Sequence, residues 1–238
     1  MVGNSLVGEL RYAISDDAVI HESETCKILV AMVSSSKKEI VRSIRSAIDA
    51  AKNPKRLVFA VCVANVSADE IKSEFEDVTI YVKSSGSVNT TVAHRYFASV
   101  CDGCDYILYV SEHSRFRSKW DALLACYVIK QGGNVVLSLN LVGDEADDTA
   151  FISWHDYDKI FKGSDSSEED DVEITQIYYY FAPISVCKTY DMFDFRNYSD
   201  IDINGLVCHY NGLTVKRPDD IYIWYQYVDT DLYKKGLR

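Results

Sequence analysis

The sequence predicts an α/β fold: an open, mixed but mostly parallel sheet flanked by helices, with a small β-rich addition near the C-terminus. Three observations lead there. The runs Ile28-Leu-Val-Ala-Met-Val33, Leu57-Val-Phe-Ala-Val-Cys-Val63 and Tyr106-Ile-Leu-Tyr-Val110 are apolar without alternation, the pattern of strands covered on both faces. Between the first two, Ile40, Val41, Ile44, Ala47, Ile48 and Ala51 recur at helical spacing. The links are short, so strand, helix and strand form a βαβ unit with a parallel pair and a right-handed crossover.

The elements follow in order. Residues 1–26 are mixed and polar, with Asp16-Asp17 and His21-Glu-Ser-Glu24, and read as an N-terminal extension. One domain is expected over 27–238, standing alone or fused to further domains. Ser34-Ser-Ser36 is a turn and helix N-cap. Asn53-Pro54 stops the first helix, because the residue before proline avoids helical backbone. Ala68 to Glu76 reads as a short acidic helix and Val78 to Val82 as a short strand.

Lys83-Ser-Ser-Gly-Ser-Val-Asn-Thr90 is a loop of small polar residues running into a helix that carries His94 and Arg95. Free N–H groups at such a helix start suit a phosphate; the same loop is also an ordinary connection. A turn at Asp102-Gly103 leads into the strand from Tyr106. Cys101-Asp-Gly-Cys104 is a lone CxxC, read as a turn with two thiols, since zinc needs more ligands.

Helix resumes from Ala122 to Ile129 and closes at Gln131-Gly-Gly133, before a strand at Val135 to Leu139. Gly143 to Asp148 is an acidic loop. Trp154 is either a sugar-stacking residue or core. Lys162 to Asp171, KGSDSSEEDD, reads as a mobile loop or a disordered one. Val172 to Val186 is β-rich and expected as a strand pair beyond the main sheet. Gly205 to Tyr210 reads as a strand ending in His209-Tyr210, and Ile221 to Tyr227 as a last helix or strand covering the sheet.

Composition narrows the function. The chain has 25 basic and 36 acidic residues among 238, a net charge of −11, which argues against nucleic acid or an anionic membrane surface as partner. No apolar run approaches the roughly twenty residues of a membrane span. No basic segment followed by an apolar core opens the chain, so no secretory signal is expected. Seven cysteines, several in apolar runs, read as buried free thiols of a reducing compartment. The expected location is cytoplasmic.

The chemistry-bearing place is Ser111-Glu112-His113. It follows the buried strand directly, at the edge where open α/β sheets bind ligands. A carboxylate beside an imidazole there suits a divalent cation such as Mn²⁺. A solvated strand end with a chance Glu-His pair has the same letters.

The stretch from Thr91 to Asp121 resembles the metal-binding segment of GT-A glycosyltransferases, and most closely the family similar to the hydroxyproline-linked N-acetylglucosaminyltransferases. The matching letters are Ala93-His-Arg95, Gly103-Cys-Asp105-Tyr106, His113-Ser-Arg115-Phe116 and Trp120-Asp121. Lys52-Asn-Pro-Lys-Arg56 before the second strand also resembles that family. The family's first metal carboxylate falls on Ser111, and its usual Ser-Tyr-Arg-Asp turn is replaced by Ser34-Ser-Ser-Lys37.

The resemblance implies a GT-A fold and a metal-assisted transfer of sugar from a nucleotide diphosphate sugar, with UDP favoured. The acceptor would be a hydroxyl of a glycan or protein. Ser34 and Asn65 would meet the nucleoside, Arg95 the phosphates, and Ser111 and Glu112 the donor. Glu112, His113 and His209 would hold Mn²⁺ or Mg²⁺. Asp191 and Asp194 stand where the family brings an acidic element to the acceptor, in a region much shorter here; a plain turn accounts for them equally. The alternative is a non-catalytic module of the same fold that binds a nucleotide sugar or glycan, favoured by Ser111 and the shortened acidic region.

Overall fold

The computed structural model describes residues 23, 25–139, 150–152, 172–174, 179–190, 204–205, 207–208, 210–216 and 223–225. Its centre is a seven-stranded sheet. The strands are β1 (Ile28–Ser34), β2 (Leu57–Ala64), β3 (Thr79–Ser85), β4 (Tyr106–Ser111), β6 (Val135–Ser138), β9 (Tyr180–Pro183) and β10 (Thr214–Lys216). They lie in the order β10-β6-β9-β4-β1-β2-β3. β1 runs parallel to β2 and β4, β2 to β3 and β10 to β6, while β9 is antiparallel to both neighbours. The mostly parallel α/β sheet read from the three apolar runs is therefore present.

Those runs are apolar throughout because both faces of the sheet are covered. In β1, Val30 and Met32 pack on one side with Ile40, Ile44 and Ala47 of α1 (Lys37–Ala50). Leu29 and Ala31 pack on the other with Ala93 and Phe97 of α3 (Thr90–Val100) and with Cys101, which follows it. Alternate strand residues point to opposite faces, so each face needs its own helices. α2 (Ala68–Lys72) buries only Ile71. α4 (Trp120–Lys130) joins the α1 side and α5 (Ser185–Thr189) the α3 side.

Local signals act where the sequence put them. The Ser36 hydroxyl caps α1 by accepting the Glu39 N–H at 3.4 Å, and α1 ends before the 3₁₀ turn Pro54–Arg56. Gly103 has φ of 77°, a backbone that L side chains resist, so the CxxC is indeed a turn. Its thiols and the five others described form no disulfide.

Two expectations are corrected. The segment from Val172 is not a strand pair outside the sheet: β9 is inserted inside it, between β4 and β6. Tyr180, Phe181 and Ala182 are fully buried there, so the aromatic run is sheet core. The other strand, β8 (Val172–Ile174), pairs with β7 (Ala150–Ile152) as a separate two-stranded sheet. Nor is Gly205–Tyr210 a strand, because residues 204, 205, 207, 208 and 210 are helical. Asn204, Val207 and Cys208 are buried and Tyr210 is exposed, which is helical spacing. The N–H of Asn211 closes on the Val207 carbonyl at 3.1 Å.

Near the C-terminus β11 (Ile223–Tyr225) pairs antiparallel with β5 (Ser114–Phe116). Among the described residues no helix is long and apolar enough to cross a membrane.

Candidate functional site

Parallel strands leave their C-terminal ends at one edge, and the loops beyond β1, β2 and β4 enclose a cleft of about 370 Å³. Its lining includes Ser34 at the end of β1 and Ser35 after it, Ala64 of β2, Val88 before α3, and Tyr109 to His113 at the end of β4 and just beyond. Tyr179, one residue before β9, closes a further wall. The site expected from the strand-end motif is thus a concavity at the sheet edge where α/β folds bind ligands.

Glu112 joins two of its walls. One carboxylate oxygen accepts the Ser35 backbone N–H at 3.0 Å, and the other lies 3.3 Å from His113 Nε2. Ser111 fixes the turn, its hydroxyl accepting the His113 N–H at 3.2 Å. His113 therefore sits between two carboxylates, since its Nδ1 is 3.6 Å from Glu39 Oε2.

Glu39 was not singled out from the sequence, yet it organises the underside of the turn. It is 5% exposed and takes Arg42 at 3.1 Å and Arg115 at 3.2 Å. Arg115 also donates to the Ser43 hydroxyl at 3.0 Å and to the Ser114 carbonyl at 2.8 Å. Ser43 lies against the carbonyls of Glu112 and Ser114. Buried ionic groups persist where charge partners and hydrogen bonds are both supplied, and here both are. The sequence signal was a polar pair, Glu39 and Ser43, one turn apart on an otherwise apolar helix face.

Several family-matching letters hold the fold instead of touching the cleft. Trp120 is fully buried, its indole N–H donating to the Ala47 carbonyl at 2.9 Å. Asp121 accepts the N–H groups of Lys52 and Asn53 at 2.7 and 2.8 Å. Ala93 is core. His94 is buried and stacked on Tyr190, ring centres 4.0 Å apart.

The remaining site expectations divide. Ser34, Ser111, Glu112 and His113 come together. Asn65 follows the cleft residue Ala64 in left-handed backbone, φ 57°, its N–H held by the Ser85 carbonyl at 2.9 Å. Arg95 does not line the cleft; it shares the outward stripe of α3 with Val92 and Ser99. At the start of α3, Asn89 accepts the Val92 N–H at 2.8 Å, so one of the free donors is already used. His209, Asp191, Asp194, Trp154 and the loop 162–171 lie outside the described residues.

For a divalent cation, the carboxylate of Glu112 and the imidazole of His113 are suitable donor types. Among the described residues no group of three or more His, Cys, Asp or Glu side chains is placed to hold a metal. A complete ligand set would need a donor beyond these, the role given to His209.

Behind the cleft, Tyr180 and Tyr190 approach through their hydroxyls at 3.4 Å, and Tyr190 donates to the Asn204 carboxamide oxygen. Burial pushes both phenols well above their ordinary range, so they stay neutral.

No protein-family profile matches the chain, and no curated protein matches it by sequence. Solved structures do resemble it in fold. The crystal structure of S. aureus TarS 1–349 superposes with a TM-score of 0.57 at 11% identity, covering 84% of this chain and 60% of that one. TarS 1–349 in complex with UDP-GlcNAc gives 0.57 at 12% identity, covering 89% and 62%. The 4-diphosphocytidyl-2C-methyl-D-erythritol synthase of Anaerococcus prevotii gives 0.50 at 14% identity, covering 85% and 89%. A further TarS structure contains UDP. The chain spans about three fifths of the TarS 1–349 structures. At these identities the likeness is one of fold: a Rossmann-like α/β sheet flanked by helices.

Proposed function

We propose that this chain is a glycosyltransferase, moving a sugar from a nucleotide diphosphate sugar, with UDP favoured, to a hydroxyl of a glycan or protein. The observation that carries the reading is one cleft at the C-terminal ends of β1 and β4 lined by Ser34, Ser111, Glu112 and His113. It is supported by a fold shared with structures that hold UDP and UDP-GlcNAc.

On this reading the nucleoside lies along the ends of β1 and β2, beside Ser34 and Asn65, with Tyr109 and Tyr179 as aromatic walls. The diphosphate points toward Ser111 and Glu112. Glu112 and His113, completed by His209, would hold Mn²⁺ or Mg²⁺, which neutralises a departing diphosphate when bound. The chain's own part is to position donor and acceptor and to keep the β4 turn rigid through Glu39, Ser43 and Arg115. Asp191 and Asp194 are assigned to the acceptor side.

A second reading has a specific observation in its favour. Ser111 stands where the resembling family has a carboxylate, and Glu112 already serves the Ser35 N–H and His113. A non-catalytic module binding a nucleotide sugar or glycan needs no more than that.

A thermal-shift panel of nucleotide diphosphate sugars, with and without Mn²⁺, separates these readings when paired with an assay of sugar release and transfer. A bound donor at about 100 times its Kd stabilises by about 2.7 kcal/mol, roughly 5–10 °C for a domain of this size. Binding with turnover is expected. Binding without turnover selects the module, and no shift with any nucleotide sugar overturns the transferase and the nucleotide-sugar module alike, leaving a glycan-binding module to a parallel panel of glycans.

A further inference from the structure

A second concavity, of about 640 Å³, opens where the outer face of α1 meets β5, and it shares no lining residue with the cleft. Its charged lining is three guanidiniums, Arg42, Arg45 and Arg115, against one carboxylate, Asp49; Ser46 and Ser118 add hydroxyls. On a chain of net charge −11, the sign of the charge is reversed here.

Helix and strand each supply part of it. Arg42, Arg45, Ser46 and Asp49 follow one another at three- and four-residue steps, so they share one stripe of α1. Ile40, Ile44 and Ala47 take the stripe that faces the core. The Phe116 N–H donates to the Ser46 hydroxyl at 3.1 Å and holds β5 against α1. Arg42 and Arg115 meet over one carboxylate: Glu39 takes Arg42 on Oε1 at 3.1 Å and Arg115 on Oε2 at 3.2 Å.

The acidic groups are shared out thinly. Glu39 serves Arg42 and Arg115, and Glu74 serves Arg45 at 2.8 Å and Lys37 at 3.3 Å. Two carboxylates thus serve four Lys and Arg side chains. The opposing charges left are Asp49 in the pocket and Glu70, which lies 4.0 Å from Lys37. Arg42 meets Glu39 through Nη1 and Arg45 meets Glu74 through Nη2, and a guanidinium has five N–H donors to offer. Among the described residues the Ser46 hydroxyl accepts one bond and donates none.

We propose that this pocket is a phosphate-binding site, which takes the free anion or the phosphate group of a small ester between Arg42, Arg45 and Arg115. Guanidinium forks match phosphate oxygens two at a time. Arg115 is 12% exposed and anchored by Glu39, the Ser43 hydroxyl and the Ser114 carbonyl, so its charge is in place before any ligand arrives. Arg42 and Arg45 are exposed on the rim. Their surface ion pairs are weak and yield readily to a doubly charged oxyanion. The inference does not depend on the proposed enzymatic function.

The test is an NMR titration of the full chain, free of metal ion and nucleotide and at constant ionic strength. The probes are inorganic phosphate, glucose 6-phosphate and glucose. Both phosphates should give saturable shifts at the amides of Arg42 to Ala50 and of Arg115 to Ser118, and glucose none there. Tighter binding of glucose 6-phosphate assigns the site to a phosphate ester, and equal binding assigns it to the free anion. Arg45→Gln should weaken phosphate binding about threefold and Asp49→Asn should tighten it about threefold, the effect of one unit charge several ångströms away in water. Both side chains are exposed, so the fold tolerates either change, and tighter binding is not something a damaged fold produces. Phosphate shifts confined to Ser34, Ser35 and Ser111 to His113, or no saturable shift along α1 and β5, overturn the proposal. So does an affinity that either substitution leaves unchanged.

Discussion

One oxygen of Glu112 accepts the backbone N–H of Ser35 at 3.0 Å, joining the loop after β4 to the loop after β1. The two loops are far apart in sequence and adjacent only because β1 and β4 are parallel neighbours, with Val33 opposite Ser111. This contact makes Glu112 both a wall of the cleft and a tie between its sides, and substitutions can separate the two.

Glu112→Gln keeps an oxygen for the Ser35 N–H and removes the charge. The free protein should melt within about 2 °C of wild type, while the Mn²⁺-dependent part of nucleotide-sugar stabilisation disappears. Glu112→Ala should lose both, the orphaned N–H costing roughly 1–3 kcal/mol. Thermal shift with UDP-sugar and Mn²⁺ reads the outcome. An unchanged Mn²⁺ effect in Glu112→Gln removes this carboxylate from any metal site.

Asp121 should matter to stability and not to ligand binding. Both its oxygens take backbone N–H groups where α1 ends, and it is 4% exposed. Asp121→Ala removes the carboxylate acceptor from both N–H groups and should cost roughly 2–4 kcal/mol, measured as a shifted urea midpoint with unchanged slope. Asp121→Asn, which retains one acceptor, should fall between. A loss under about 0.5 kcal/mol would show that water replaces the carboxylate freely.

Arg95 tests whether the proposed donor site extends beyond the cleft. It is exposed and has no hydrogen bond or ion pair among the described residues, so Arg95→Lys should leave stability within about 0.5 kcal/mol. If diphosphate oxygens reach it, donor affinity should drop severalfold, because an ammonium cannot reproduce the planar fork of guanidinium. Calorimetric titration with UDP-sugar decides, and equal affinities take Arg95 out of the site.

Alkaline pH should weaken the fold. Burial raises Cys62 to about 12 and Cys104 to about 11 from an ordinary 9, so the folded state resists ionisation that the unfolded chain accepts. Their contribution is fully present below pH 9 and is lost as pH rises through 11 to 12. Cys101, lowered to about 7, acts in the opposite sense: its contribution is present above pH 9 and lost as pH falls through 7. The Cys101 contribution no longer changes above pH 9, so the raised thiols set the slope and the urea midpoint should drop between pH 9 and 11. A flat profile there sinks this account.

The sequence by itself determined β1, β2 and β4 and the helix between the first two. Continuous apolar runs have one low-energy solution, burial on both faces, and Ser36 and Pro54 mark where the first helix starts and stops. It also located the cleft, because Ser111-Glu112-His113 follows a buried strand and such strands end at the binding edge. The strand read at Gly205–Tyr210 is a helix: six residues are too few to tell the two apart, and burial of Asn204, Val207 and Cys208 decided for helix. Only the tertiary structure placed β9 between β4 and β6, since strand order depends on long-range pairing that no local pattern encodes. Only it made Glu39 the anchor of the site and Trp120 and Asp121 the clamp on α1. A side chain's role follows from what the fold brings beside it, and Glu39 meets Arg115 across a stretch of chain that the sequence alone could not close.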